Sequence, residues 1–422
     1  MLTKVVGGNE LSGSVQINGS KNASLPIIAA CLLLKGKVRL NNVPDILDVH
    51  TFLGILESIG AKYTFARGVL DIDTSDLSLK NLDEQKVKKV RVSLLLLAPL
   101  LHHFHKLNIP YPGGCSIGKR PVDSHLNALD KIGFKYISKG ENRICLDGKP
   151  ISGDMEINAG FSVTATENIL VANTLREGTT TIKMAAIEPH VMNLVDFLRK
   201  AGADISLRYN HTIIVKGVEK LTDNFEFDIV SDYIESGTFM VIGALAAKEY
   251  IDIHNARIDD LYAFIEKLHQ AGVKTMDMGN DILRVYKAKE IKNVNIQTNI
   301  FPGFPTDLQS PFGVLMTQAE GVSKIHEVMF EGRLNFLVEL EKMGSKMSIN
   351  NSHEAIIMGA TPLKGATVTS WDLRAGAAMV IAGLIARGET YIANIDYVKR
   401  GYSGIFEKLT KLGADIVEGD EN

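Results

Sequence analysis

Two hydrophobic rhythms alternate along this 422-residue chain. One is amphipathic, with apolar residues three and four apart on one helical face, as at Phe52, Ile55, Leu56 and Ile59. The other is a helix-length stretch that is apolar on all sides and rich in small residues: ASLPIIAACLLL, TATENILVANTL, SGTFMVIGALAA and RAGAAMVIAGLIA. Helices of the second kind belong in a protein interior. The amphipathic segments end in a recurring phrase, Leu-x-x-apolar-Gly, at Gly60, Gly133, Gly202, Gly272, Gly344 and Gly413, with spacings of 73, 69, 70, 72 and 69. One helix ending in glycine is ordinary, but six at near-constant spacing make a repeat. Glycine supplies the left-handed backbone that closes a helix. The residues that follow (AKYTFA, ADISLRY, ADIVE) read as strands. The pattern predicts six βαβαβ-type modules, each with one inner and one outer helix. Such modules exceed the roughly 20–50 residues of common solenoid repeats, so compact pseudo-symmetric domains of three modules each are expected. The polar stretches NGSK (18–21) and VSDY (230–233) are the candidate crossings between them.

Composition narrows the function classes. The chain carries 46 Lys+Arg against 49 Asp+Glu, without the basic surplus of a nucleic-acid or acidic-membrane binder. Three cysteines, at 31, 115 and 145, give neither a disulfide framework nor a metal-ligand cluster. The first residues lack the apolar core of a signal peptide. The longest apolar candidate, Val92–Leu101, is far short of the ~18 residues a membrane-spanning helix needs. A protein of a reducing, cytoplasmic compartment is expected.

Departures from the repeat are where chemistry should sit. The sharpest is PGGCSIGKRPVD (112–123), a near P-loop in which Arg120 stands where Ser or Thr should bind magnesium. Its glycines and two cations still suit an anionic ligand, and Cys115 beside Lys119 and Arg120 favours a thiolate or a readily shared proton. Cys31 and Cys145 read as packing residues. FPGFPTDLQSPF (301–312) presents Asp307 on a proline-braced loop, either as a free carboxylate or, with Thr306, as a helix cap. In WDLRAGAAM (371–379), Asp372 fits a cap, but Arg374 at the same helix start opposes the helix dipole and calls for an anion partner. YVKRGY adds Lys399 and Arg400, and GSKNASLP adds Lys21 and Asn22. The histidines of HHFH (102–105) lack a carboxylate or thiol at ligand spacing and read as structural.

Taken in order, GSKNASLP, GGCSIGKRPVD, SVTATEN, FPGFPTDLQ, FEGRL, WDLRAG and RGY resemble the enolpyruvyl transferases end to end, most closely the branch acting on UDP-N-acetylglucosamine. The resemblance implies a two-domain inside-out α/β barrel of six βαβαββ pseudo-repeats. It places 22–229 in a three-repeat domain carrying the Cys115 loop, and 1–21 plus 230–422 in a second carrying Asp307, Asp372, Arg374 and Arg400. It further implies transfer of the enolpyruvyl group of phosphoenolpyruvate to the sugar 3′-hydroxyl, with release of phosphate and without metal or organic cofactor. By resemblance, Cys115 is the proton donor and the thiol that fosfomycin alkylates, and Asp307 is the base. Lys21, Arg120 and Arg400 match phosphoenolpyruvate positions, and Asp372 and Arg374 match the catalytic Asp-Leu-Arg segment. Asn22, Arg91, Arg120, Pro121, Val122, Asp123, Ser124, Ser162, Val163, Asp307 and Met329 match UDP-sugar positions, and Arg333 is a further substrate-binding candidate.

Three departures from the family pattern bear on the nucleotide grip and on closure: Thr164 where Gly is common, Gly160 where some members have Lys, and Tyr233 where Arg is usual. Two other readings stand beside the transferase. One is the shikimate-pathway sibling, which lacks a cysteine in this loop and has Lys-Ser near its start. The other is a paralogue that binds a nucleotide sugar without turnover.

Overall fold

In the computed structural model, which describes residues 2–113, 117–118, 120–137 and 142–419, all six repeat glycines close helices with positive φ, between +89° and +119°. The outer helices they end are Leu47–Ser58, Asp123–Ile132, Pro189–Lys200, Tyr262–Gln270, Phe336–Lys342 and Ile405–Leu412. Each is followed by a strand that pairs antiparallel with a central one, as Asp204–Arg208 does with Thr212–Lys216. The inner helices are Lys21–Ala30, Leu97–Phe104, Val163–Thr174, Tyr233–Ala246, Gln309–Thr317 and Leu373–Ile385. Burial separates the two kinds as the hydrophobic pattern requires: every residue of Gln309–Thr317 is buried, whereas Ile405–Leu412 buries one face.

Where the repeat is complete, an inner helix joins two parallel strands, an outer helix follows, and an antiparallel hairpin ends the unit. Strand Met155–Asn158, helix Val163–Thr174 and strand Thr179–Lys183 form one such parallel crossover. The last strand extends the expected βαβαβ module to βαβαββ. Among the described residues, five sheets have four strands and one, built on Lys106–Pro110, has three.

The chain's contacts fall into two compact units. Unit 1 is Met1–Asn18, Cys115–Lys119 and Ser231–Asn422, and unit 2 is Gly19–Gly114 and Arg120–Val230. The crossings lie at 18/19 and 230/231, against the expected 21/22 and 229/230. The described part of the glycine loop, Ile117 and Gly118, groups with unit 1, not with the unit expected to carry it. Each unit has its own apolar core. In unit 1 the three inner helices pack on one another, and in unit 2 helix Leu97–Phe104 packs on Val163–Thr174. Two sheets are completed by strands distant in sequence. Leu11–Gln16 pairs parallel with Ala247–His254, and Phe225–Asp228 with Lys37–Asn41. Strand Leu2–Val6 sits between Glu389–Ala393 and Asp415–Glu418, completing the last repeat. Among the described residues no helix is long and apolar enough to cross a membrane.

The closing glycines make a quantitative test. A Cβ on Gly202 would meet nothing nearer than Thr222 Oγ1 at 3.9 Å, whereas one on Gly133 would fall 2.2 Å from the Lys149 carbonyl oxygen. Gly202→Ala should therefore cost only the left-handed backbone, about 1–2 kcal/mol. Gly133→Ala should cost more, because backbone has to move. Urea midpoints of the two variants measure this, and equal losses would contradict the steric argument.

Candidate functional site

The three inner helices of unit 1 each begin beside an aspartate: Asp232, Asp307 and Asp372. Two of them cap. Asp232 Oδ1 accepts from the backbone N–H groups of Ile234 (2.8 Å) and Glu235 (3.3 Å), and Asp372 Oδ1 from those of Arg374 (2.7 Å) and Ala375 (3.0 Å). Asp307 does not. A 3₁₀ turn, Thr306–Leu308, precedes its helix, and neither terminus has a side-chain cap. Its carboxylate accepts instead from two guanidiniums, Arg333 Nη2 at 2.6 Å and Arg374 Nη2 at 3.1 Å. Of the two sequence readings of this loop, the cap falls. The anion that Arg374 needs at its helix start is Asp307.

The surroundings tighten this cluster. The side chains of Arg333 and Arg374 are 5% and 3% exposed against 25% for Asp307, so the carboxylate is the accessible member. Arg333 Nη1 lies 4.0 Å from Asp372 Oδ1. The Arg374 guanidinium stands 5.1 Å from the centre of the Tyr402 ring, whose hydroxyl is 3.0 Å from Thr238 Oγ1. Burial alone would raise the Asp307 pKa, but the charges and hydrogen bonds of Arg374 and Arg333 outweigh it and hold the carboxyl well below the usual range. At Asp232 burial prevails over Arg374 and pushes the carboxyl up. Arg333 Nε, Arg374 Nε and Arg374 Nη1 are buried without a hydrogen-bond partner in ordinary geometry, although the Tyr402 hydroxyl lies close enough to interact with the Arg374 guanidinium. Such groups are costly when left unpaired, and a guanidinium edge takes carboxylate or phosphate oxygens in a fixed orientation.

Unit 1 holds further candidates. Arg400 follows the short helix Asp396–Lys399, half-buried, 5.9 Å from the Tyr397 ring centre. Met329 is exposed, and its backbone N–H donates to Glu327. The Ile117 carbonyl accepts from Gly332 N at 2.9 Å, beside the turn that carries Arg333. Cys115 and Lys119 lie outside the described residues.

In unit 2, Lys21 opens an inner helix capped by Ser20, and its Nζ pairs with the buried Asp48 at 2.6 Å. Asn22 follows it, half-buried. Arg91 donates to the Arg120 carbonyl and lies 5.9 Å from the centre of the Tyr111 ring. Val122 precedes helix Asp123–Ile132, with Pro121 and Asp123 exposed and Ser124 half-buried. Ser162 caps helix Val163–Thr174 through its hydroxyl and the Ala165 N–H. These two helix starts are tied by His125. Asn168 Nδ2 donates to His125 Nδ1 (3.0 Å), which leaves the proton on Nε2 to be donated to Thr164 Oγ1 (3.0 Å). Burial, followed by the charges of Arg91 and Arg120, pushes His125 down to about 4, so the ring is neutral at pH 7. Elsewhere in this unit His103 Nε2 donates to the Leu32 carbonyl at 2.5 Å, and Cys31 and Cys145 are buried.

Comparison with known proteins now bears on this geometry. The family described as EPSP synthase (3-phosphoshikimate 1-carboxyvinyltransferase) matches residues 5–409. This chain is a member of that enolpyruvyl transferase family. A UDP-N-acetylglucosamine 1-carboxyvinyltransferase of Actinobacillus succinogenes is 42% identical over 416 residues, covering 98% of each chain. One of Wolbachia sp. subsp. Brugia malayi is 40% identical over 413 residues, covering 96% of each. The crystal structure of the enolpyruvyl transferase NikO from Streptomyces tendae aligns with a TM-score of 0.89 at 26% identity, covering 99% of this chain and 98% of that one. An EPSP synthase from Acinetobacter baumannii, at 19% identity and a TM-score of 0.72 with full coverage of both chains, shares the fold.

Within this enolpyruvyl transferase, the three departures from the family pattern have structural settings. The Thr164 hydroxyl accepts the His125 proton, Gly160 has φ +60°, and Tyr233 is buried in the core of unit 1. Sequence reasoning missed Asp232 and Tyr402, although VSDY and RGY contain them, and Asp48, which no local pattern marks. It also missed a buried acidic pair in unit 2. Burial, then the charge of Glu188, pushes Glu167 well above the ordinary carboxyl range, and burial also raises Glu188. A carboxyl raised in the folded state stays protonated longer than in the unfolded chain, so its contribution to stability is lost as pH rises from about 4.3 through the raised value. Glu167→Gln should therefore gain stability relative to the parent between pH 5 and pH 8, read from urea midpoints at both. An unchanged difference would mean that Glu167 is not held protonated.

Proposed function

We propose that this enolpyruvyl transferase moves the enolpyruvyl group of phosphoenolpyruvate onto the 3′-hydroxyl of UDP-N-acetylglucosamine and releases phosphate. This is the first committed step of peptidoglycan precursor synthesis, and the reading places the protein in the cytoplasm. The choice of acceptor is supported by full-length curated relatives at 40% and 42% identity that bear that name. The observation that carries the chemistry is the Asp307 carboxylate held between two buried guanidiniums, of which Arg333 Nε, Arg374 Nε and Arg374 Nη1 make no hydrogen bond.

The reaction needs a base for the sugar hydroxyl, an acid for the methylene carbon, and cations for a highly charged substrate. In the first step the sugar oxygen bonds to C2 of the enol phosphate as its proton passes to Asp307, and Cys115 gives a proton to the methylene carbon. A tetrahedral ketal results. In the second, the methyl carbon returns a proton to the Cys115 thiolate, the C2–phosphate oxygen bond breaks, and the vinyl ether forms as phosphate leaves with the proton held by Asp307. Arg374, Arg400, Lys21 and Arg120 are assigned to the substrate's anionic oxygens, and Arg333 with Asp372 to holding Asp307 and Arg374. Asn22, Arg91, Pro121 to Ser124, Ser162, Val163 and Met329 are assigned to the nucleotide sugar. In unit 2, two helix N-termini tied by a neutral histidine suit a diphosphate, because free backbone N–H groups point out of a helix start.

Phosphate release measured with phosphoenolpyruvate and UDP-N-acetylglucosamine together should be robust, and absent when either is omitted or shikimate 3-phosphate replaces the sugar. A folded protein that releases no phosphate with both substrates would overturn the reading. Cys115→Ser should lose covalent labelling by fosfomycin, and labelling that persists would identify another target.

A further inference from the structure

Asp307 and Arg333 stand on different loops. Asp307 belongs to the segment that follows strand Ile296–Gln297, and Arg333 to the segment that follows strand Gly321–His326. Their 2.6 Å contact therefore requires something to hold the two loops in register. Neither loop is regular, and Asp307 receives no help from a cap.

Glu327 sits where the two loops meet. It is fully buried, and its carboxylate accepts four hydrogen bonds. Oε2 accepts from the hydroxyl of Thr306, the residue beside Asp307, at 2.8 Å. Oε1 accepts from Met329 N (2.7 Å) and Phe330 N (3.2 Å), in the segment leading to Arg333. Oε1 also accepts from Thr298 Oγ1 (3.0 Å), at the base of the Asp307 loop, and Thr298 Oγ1 in turn accepts from Val328 N at 2.9 Å. The backbone of Glu327 is tied as well. Its N–H donates to the His353 carbonyl at 2.8 Å, and its carbonyl accepts from His353 Nδ1 at 2.7 Å. No cation pairs with this carboxylate within salt-bridge distance among the described residues. A buried charge is tolerated there because hydrogen-bond donors converge on it from both loops.

We propose that Glu327 is a positioning residue for the transfer reaction: it fixes the Thr306–Asp307 segment against the Met329–Arg333 segment and so sets the Asp307–Arg333 geometry. It touches neither Asp307 nor Arg333 by hydrogen bond; besides the pull of its charge on Arg333, its action runs through Thr306 on one side and two backbone N–H groups on the other. The two links differ in what they carry. Loss of the Thr306 link frees the carboxylate's loop alone, whereas loss of Glu327 frees both loops.

This inference rests on the transferase reading, and wild-type phosphate release separates the two: if the wild type is inactive, that reading fails first. With an active wild type, kcat and both KM values are measured for Thr306→Val, Thr306→Ser, Glu327→Gln and Glu327→Ala, with thermal midpoints as a check on folding. A displacement of order 1 Å at a reacting group costs about 100-fold in rate. Thr306→Val should lower kcat about 10-fold or more, with KM for UDP-N-acetylglucosamine changed less than about threefold, and Thr306→Ser should restore it. Glu327→Gln should fall between Thr306→Val and Glu327→Ala. A Thr306→Val enzyme within about twofold of wild-type kcat, or one that Thr306→Ser fails to rescue, would overturn the proposal. So would losses that merely follow the unfolded fraction.

Discussion

An inner helix buried on every side can carry charge only at its ends, and that constraint organises this protein. Between its ends, Leu373–Ile385 is alanine, glycine and aliphatic residues, and Gln309–Thr317 is buried throughout. A charged side chain mid-helix would have to be desolvated against neighbouring helices, at several kcal/mol per ion even after relaxation (about 20 kcal/mol by an idealised Born estimate). Charges therefore collect at the N-terminal ends: Lys21, Asp232, Asp307, Asp372 and Arg374, with Ser162 as their neutral counterpart. Free backbone N–H groups at the same ends add positive potential. The places where the repeat tolerates polarity are thus the places where it can hold an anion.

Pseudo-symmetry then makes one exception informative. Three aspartates occupy matching positions at the starts of the unit 1 inner helices, and two do the ordinary work of a cap. The third is displaced from capping by a single 3₁₀ turn. Released from the backbone, Asp307 is satisfied by Arg333 and Arg374, and Arg333 Nε, Arg374 Nε and Arg374 Nη1 make no hydrogen bond. A full cap at this position would leave Arg374 as an unpaired cation at a helix start, where the dipole opposes it. The turn therefore determines both the carboxylate's availability and the arginine's tolerance.

Much of this was legible in the sequence because it is periodic. The six glycine phrases are local signals, and each reports a helix end whose positive φ only glycine adopts without strain. The all-apolar segments marked the inner helices for the same reason. The βαβαββ order needed more, because two sheets take their parallel strand from across the sequence, at Leu11–Gln16 and Phe225–Asp228. Site residues inside departures from the repeat, such as Asp307 and Arg374, could be picked out by type and position. What could not be read was which charge meets which. Asp48 for Lys21 and Glu327 for two loops are pairings over tens of residues or between loops, set by tertiary packing that leaves no periodic trace. The Asp307 loop itself admitted two conformations by composition, and the positions of Arg333 and Arg374 decide between them.

The same pairing raises a chemical tension that the geometry resolves. A carboxylate between two guanidiniums is a weak proton acceptor, because each cation favours its charged form. Yet Arg333 Nε, Arg374 Nε and Arg374 Nη1 make no hydrogen bond. An incoming carboxylate or phosphate that engages those groups brings negative charge close to Asp307 and competes for the same guanidinium protons. Both effects raise the proton affinity of Asp307, the first by like-charge repulsion and the second by weakening its hydrogen bonds. Without an anion, Asp307 remains ionised and inert, which keeps the buried arginines paired. With one bound, it is the stronger base that the proposed removal of a hydroxyl proton calls for. The ion pair that holds Asp307 is thus also the element that an anion must loosen, so that in the proposed mechanism its basicity arises from substrate binding.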